Sequence, residues 1–192
     1  CRFARVIPGK FTASFFCNTD LANAQVASFY TGAKGNSADL KFAELEGEQV
    51  DLFMISPSDP VAMIGYARQC KELGIPYGFD PSQQIVRMDK DMIRSGLDGA
   101  KFLFCNEYEF ELLKKHSQWS EREVLEKVDC AVITLGEKGS RINVDGEDYL
   151  VPIYPPTKIV DPTGVGDAYR SGFLTGYFKG LNWDLCGKLG AL

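Results

Sequence analysis

The feature that most constrains this chain is an alternation of short strand-like runs with amphipathic helical patterns between residues 50 and 135. Residues 50–55 read as a strand, Asp59 is placed to cap a helix over residues 60–73 that opens on Pro60, and residues 75–79 read as a second strand. A helical pattern over 90–97 then precedes a strand over 100–105, and one over 121–127 precedes a strand over 130–135. Two further strands, 140–144 and 148–154, flank Asp145-Gly146, a hairpin-turn pair. This spacing predicts an α/β fold, a doubly wound and mainly parallel sheet with helices on both faces. Ligands of such sheets bind outside the carboxyl ends of the strands, so the stretches that follow each strand deserve the closest reading.

The first fifty residues differ. Residues 11–17 and 25–31 carry aromatic and β-branched side chains on either side of a polar turn, which predicts a small β-hairpin projecting from the main sheet. Phe15 and Phe29 lie in its strands. Core packing is the commoner fate of such rings, and stacking on a flat ligand ring is the other reading. Residues 31–39 read as a loop.

At 192 residues, 45% apolar and 24% charged, the chain suits one globular domain with a sizeable core. Its net charge of −5 and the lack of a Lys/Arg cluster interleaved with aromatics argue against a nucleic-acid partner. The apolar runs are far shorter than a membrane span, and residues 1–10 lack the apolar core of a signal peptide, so a cytoplasmic protein is expected. Six scattered cysteines without a CxxC pair, and a single histidine, His116, give poor support to zinc binding or Cys-His catalysis. Most of the cysteines stand in apolar surroundings and are expected simply to pack. The chain starts at Cys1 and stops inside a helical pattern, which reads as a fragment.

Three strand ends carry polar groups. After the second strand comes Asp80-Pro81-Ser82-Gln83-Gln84, where Gln83 and Gln84 offer adaptable donors and acceptors on what is otherwise a turn. After the third comes Asn106-Glu107-Tyr108-Glu109. Asn106 reads equally as a helix N-cap or, with Glu109 three residues on, as one of two oxygen donors that share a face and reach a phosphate-bound magnesium through water. After the fourth comes Thr134-Leu135-Gly136-Glu137-Lys138-Gly139, which reads as a turn into the next strand.

The stretch from Asp161 to Gly180, DPTGVGDAYRSGFLTGYFKG, is the most unusual in the chain. A Gly-containing loop opens directly onto a helix, whose free N–H groups and dipole favour an anion. Gly164, Ala168, Gly172, Gly176 and Gly180 form a small-residue stripe, and close helix packing explains its interior members. Packing leaves Gly166 and Asp167 at the mouth unexplained. A base beside an anion-binding loop suits phosphoryl transfer to an alcohol, while a helix-start carboxylate is the plain alternative. Arg170, one turn on, reads as a surface or helix salt bridge.

Residues 161–174 resemble the C-terminal signature of the ribokinase/PfkB family of carbohydrate and nucleoside kinases, with its Gly-x-Gly-Asp loop. The upstream Asn106-x-x-Glu109 and Thr134-Leu135-Gly136-x-x-Gly139 stretches resemble two further family motifs. Within the family the chain is most similar to bacterial, actinobacterial-type adenosine kinases, on the stretches 19–33, 80–84, 105–113 and 161–176. The resemblance implies a single ribokinase-like domain over residues 1–192, with the hairpin at about 10–32 as a lid over the substrate. It implies ATP-dependent phosphorylation of a nucleoside 5′-hydroxyl, adenosine first, with Asp167 as general base and the N–H groups of Gly164, Val165 and Gly166 as an anion hole. Asn106, Thr134, Gly136 and Gly139 would hold ATP. Phe15, Phe29, Gln83 and Gln84 would hold the nucleoside, and Asn106 and Glu109 magnesium. A monovalent cation belongs near Asp161 in some members, and the lid strands offer an edge for pairing with a second copy. A sugar kinase of the same fold and a non-catalytic nucleotide-binding module are the competing readings.

Overall fold

The computed structural model describes residues 4–20, 25–45, 47–158 and 163–192. Asp161 and Pro162, with the cation expected beside them, and the turn residues Leu21, Ala22, Asn23 and Ala24 lie outside the described residues. Strands β1 (Ser14–Thr19) and β2 (Gln25–Tyr30) form a separate antiparallel pair in which Phe15 faces Phe29 across the ladder. The segment expected as a loop after it is instead a 3-10 helix, Gly32–Asp39, tied to the main body where the Tyr66 hydroxyl donates to the Ser37 carbonyl at 2.5 Å.

The main sheet has six strands in sequence order: β3 (Phe53–Ile55), β4 (Tyr77–Phe79), β5 (Ala100–Asn106), β6 (Val128–Thr134), β7 (Ser140–Val144) and β8 (Glu147–Val151). The first four pair in parallel and the last two add antiparallel. The β7–β8 turn is Asp145-Gly146 with φ of 52° and 80°, the left-handed pair that a two-residue hairpin requires. Strands β3 and β8 are shorter than the apolar runs suggested, because only the paired residues extend the ladder.

Helices α1 (Pro60–Leu73), α2 (Lys90–Leu97), α3 (Glu107–Ser117) and α4 (Glu121–Leu125) follow the expected pattern, with α4 ending two residues early. Their ends are written in the sequence. The Asp59 side chain accepts from the Ala62 N–H at 3.2 Å, Pro60 occupies the first turn, and Gly74 at φ 66° closes α1 in the left-handed region. Helix α5 (Val165–Phe178) leads into α6 (Trp183–Ala191).

Period-2 alternation along β5 and β6 sorts the core into two layers. Leu103, Cys105, Ala131 and Ile133 face the layer that contains Met63, Ile93 and Leu113 from α1, α2 and α3. Phe102, Phe104, Cys130 and Val132 face Tyr169, Phe173 and Cys186 from α5 and α6. The sheet is therefore doubly wound, as the alternation predicts. The close α5–α6 contact explains two glycines: a Cβ on Gly172 would sit 2.4 Å from the Leu189 carbonyl oxygen, and one on Gly176 would sit 3.0 Å from the Cys186 Cα. Cys70, Cys105, Cys130 and Cys186 are buried thiols, in keeping with a packing role.

Candidate active site

The carboxyl ends of all four parallel strands open into one cleft of about 510 Å³. Ser56 and Pro57 come from beyond β3, and Asp80, Ser82 and Gln83 from beyond β4. Cys105 and Asn106 end β5, Thr134 ends β6, and Gly164, Gly166 and Asp167 form the mouth of α5. Phe104, Val132 and Tyr169 line it from the apolar side. Tyr169 is fixed by a 2.6 Å hydrogen bond between its hydroxyl and that of Ser140, and burial raises its pKa.

A second cavity of about 240 Å³ lies beside the first, lined by Phe15 and Phe29 of the hairpin, Gln83 and Gln84 of the β4 turn, and Arg87. Lys34, Pro57 and Gln83 line both cavities, so the two adjoin at these residues. Here core packing is the reading that fails. Phe15 and Phe29 are 52% and 51% exposed and both line this cavity, and Lys34 stands 5.8 Å over the Phe29 ring.

At the mouth, Gly164 has φ 81° and no side-chain cap bond to the first turn of α5. Among the described residues, no atom beyond its chain neighbours and its own helix's backbone lies within 4 Å of where a Cβ on Gly164 or Gly166 would stand. Val165 does not line the cleft, and its side chain is turned to solvent. Asp167 lies on the cleft wall and is 75% exposed.

Across the cleft, Asn106 and Glu109 form a reciprocal capping box. Asn106 Oδ1 accepts from the Glu109 N–H at 2.8 Å, and Glu109 Oε2 accepts from the Asn106 N–H at 2.9 Å. The cap that the sequence offered as an alternative is therefore present, and both residues also line the cleft. One carboxylate oxygen of Glu109 is not used by the box. Among the described residues no group of three or more His, Cys, Asp or Glu is arranged to hold a metal. Hard oxygen donors on one wall of a cleft fit a magnesium ion that arrives with phosphate and keeps its waters, and do not fit an ion caged by protein alone.

Thr134 faces the cleft, whereas Gly136 and Gly139 lie outside its lining. Gly139 has its own reason: at φ 93°, a Cβ there would meet the Val151 carbonyl oxygen at 2.0 Å, so the turn into β7 demands glycine. Gly136, at φ 59°, has open space around it.

Two residues outside the expected site are central. Arg170 is only 15% exposed and bridges two carboxylates, Asp80 and, at 2.7 Å, Asp167. The helix salt bridge expected for it is present to Asp167, three residues back, and a second, largely buried one is added because the β4 turn brings Asp80 to the α5 mouth from 90 residues away in the chain. Burial, with lesser help from the Glu109 and Asp167 charges, pushes the Asp80 carboxyl up to about 6 against the opposing pull of Arg170. Lys34 is the other: it supplies a cation at the junction of the cavities from a segment that reads as a plain polar loop.

The pfkB family carbohydrate kinase model matches residues 1–192. A nucleoside kinase of Methanocaldococcus jannaschii is 33% identical over 173 residues, 90% of this chain and 56% of that protein. A Burkholderia thailandensis nucleoside kinase, solved in complex with inosine, superposes with a TM-score of 0.92 at 30% identity and covers 97% of this chain and 62% of the other. The adenosine kinase of Sinorhizobium meliloti superposes with a TM-score of 0.73 at 25% identity, covering 94% and 59%. The chain thus spans about three fifths of the length of these proteins.

Proposed function

Since the chain belongs to the pfkB family of carbohydrate kinases, we propose that it phosphorylates the 5′-hydroxyl of a nucleoside from ATP, with adenosine the preferred acceptor. The observation that carries this reading is the adjacency of the two cavities: an aromatic, amide-lined chamber shares Lys34, Pro57 and Gln83 with the cleft that Gly164, Gly166 and Asp167 line. A purine ring between Phe15 and Phe29, with Gln83 and Gln84 at its polar edges, directs the ribose toward the cleft.

Asp167 accepts the hydroxyl proton as the hydroxyl oxygen attacks the γ-phosphorus, and the bond from that phosphorus to the β–γ bridging oxygen breaks to release ADP. The N–H groups of Gly164, Val165 and Gly166, aligned with the positive end of the α5 dipole, meet the charge on the equatorial phosphate oxygens. Val165 serves through its backbone alone, so its outward side chain is no obstacle. Thr134 and Asn106 contact the nucleotide phosphates from the β5 and β6 ends, with Gly136 leaving room for its approach and Gly139 shaping the turn. Asn106 and Glu109 would hold magnesium through water, and the ion would neutralise phosphate charge. The kinase assignment is favoured over a non-catalytic nucleotide-binding module by the position of Asp167, which binding alone does not require.

Asp167→Asn in the full-length protein tests the chemistry. A positioned general base contributes about 10² to 10⁴ in rate, so turnover should fall by at least about 100-fold while ATP binding persists. Turnover equal to wild type would remove Asp167 from the mechanism.

A further inference from the structure

We infer that Arg170 is a positioning residue for the reaction, holding the Asp167 carboxylate in register with the sheet through Asp80; the inference rests on the general-base reading of Asp167. A helical arginine leans toward the helix N-terminus, which carries the Arg170 guanidinium over the mouth of α5. Its two terminal nitrogens are divided: Nη1 donates to Asp80 Oδ2, and Nη2 donates to Asp167 Oδ1 at 2.7 Å.

The three partners differ in freedom. Asp80 is anchored, since its N–H donates to the Ile55 carbonyl at 2.9 Å and its side chain is 18% exposed. Arg170 is slightly more buried, at 15% exposed, whereas the Asp167 side chain is 75% exposed. Rigidity therefore passes from the β3–β4 ladder to Asp80, to Arg170, and only then to the exposed carboxylate. A planar guanidinium suits this role because its fork fixes direction as well as distance. A bond to Oδ1 leaves Oδ2 of Asp167 to receive the hydroxyl proton.

The charges point the same way. A lone arginine beside a catalytic carboxylate would make it a poorer base. With Asp80 on its other side, the group of three carries a net charge of −1, so Asp167 is oriented without its charge being cancelled. Glu109, which also lines the cleft, adds a further negative charge. Asp80 also begins the turn that carries Gln83 and Gln84, which places the substrate wall and the base on one rigid connection.

The test is a set of full-length variants, Arg170→Met, Asp80→Asn with Arg170→Met, Asp167→Asn, and Asp167→Asn with Arg170→Met, assayed for steady-state nucleoside phosphorylation and for thermal unfolding. Misplacing a reacting group by about 1 Å costs about 10²-fold, so Arg170→Met should lower kcat by about 10- to 100-fold with the KM for ATP unchanged. Arg170→Met strands the Asp80 carboxylate, and the double variant removes that charge. The prediction is that the double variant regains stability but not kcat. Recovery of wild-type kcat in the double variant, or no loss in Arg170→Met, would overturn the proposal by leaving Arg170 a structural ion pair. Arg170→Met added to Asp167→Asn should cost nothing further. Wild-type turnover in Asp167→Asn alone would instead sink the general-base reading, so the two failures are distinct.

Discussion

Asp80 shows what a single carboxylate can reveal about a site. Its folded pKa of about 6 is raised above the ordinary 3.8, so the sign of its contribution runs opposite to that of most paired acids. The folded state binds the proton more tightly than the unfolded chain. The associated stability is fully present below pH 3.8 and is lost as pH rises through about 6. A shift of this size corresponds to about 3 kcal/mol. The unfolding free energy of wild type relative to Asp80→Asn should therefore fall by up to that amount between pH 4 and pH 7, measured by denaturant titration at each pH. A difference that stays flat or rises across this window would show that Arg170, and not burial, controls the group. Glu109 gives a second residue-scale test. Its carboxylate both caps α3 and faces the cleft, so Glu109→Gln, which keeps one acceptor for the cap, should leave the melting temperature nearly unchanged while raising the magnesium concentration needed for half-maximal turnover. An unaltered magnesium requirement would reduce the residue to its capping role.

At the scale of elements, glycines separate close packing from chemistry. Gly172→Ala gains about 1 kcal/mol of helix propensity, but its Cβ would press on the backbone of α6 at Leu189. Overpacking of that kind costs about 1 to 3 kcal/mol, so the variant should be destabilised in a denaturant melt. A more stable Gly172→Ala protein would mean that α6 shifts easily. Gly166→Ala meets no neighbour and should affect turnover rather than stability.

The same contrast explains what the sequence could and could not disclose. Helix α1 was legible to the residue because Asp59, Pro60 and Gly74 mark its ends locally, and Asn106 and Glu109 likewise announce the start of α3. The 3-10 helix Gly32–Asp39 was not legible, since it depends on contacts such as that between Tyr66 and Ser37. The Arg170–Asp80 pair was hidden for a similar reason: only the completed sheet brings the β4 turn to α5. The exposure of Phe15 and Phe29 follows from the hairpin standing apart from the main sheet, a placement the aromatic and β-branched runs did disclose, although the common burial of such rings pointed the other way.

On the scale of the whole molecule, the sheet serves as a platform whose carboxyl edge gathers the chemistry, and the hairpin supplies an aromatic wall from outside it. Because the hairpin contributes to the chamber without entering either core layer, Phe15→Ala and Phe29→Ala should raise the KM for nucleoside while leaving the melting temperature nearly unchanged. A large loss of stability in either variant would return those rings to packing. The choice between a nucleoside and a free sugar rests on this wall alone, because both acceptors would present a hydroxyl to the same Asp167. The most direct measurement is ATP-dependent phosphorylation by the full-length protein in magnesium, comparing adenosine with ribose and fructose at equal concentration. The architecture predicts a higher kcat/KM for adenosine than for either sugar. A preference for ribose or fructose would contradict it, leaving the cleft as a phosphoryl-transfer site and the aromatic chamber without its assigned ligand.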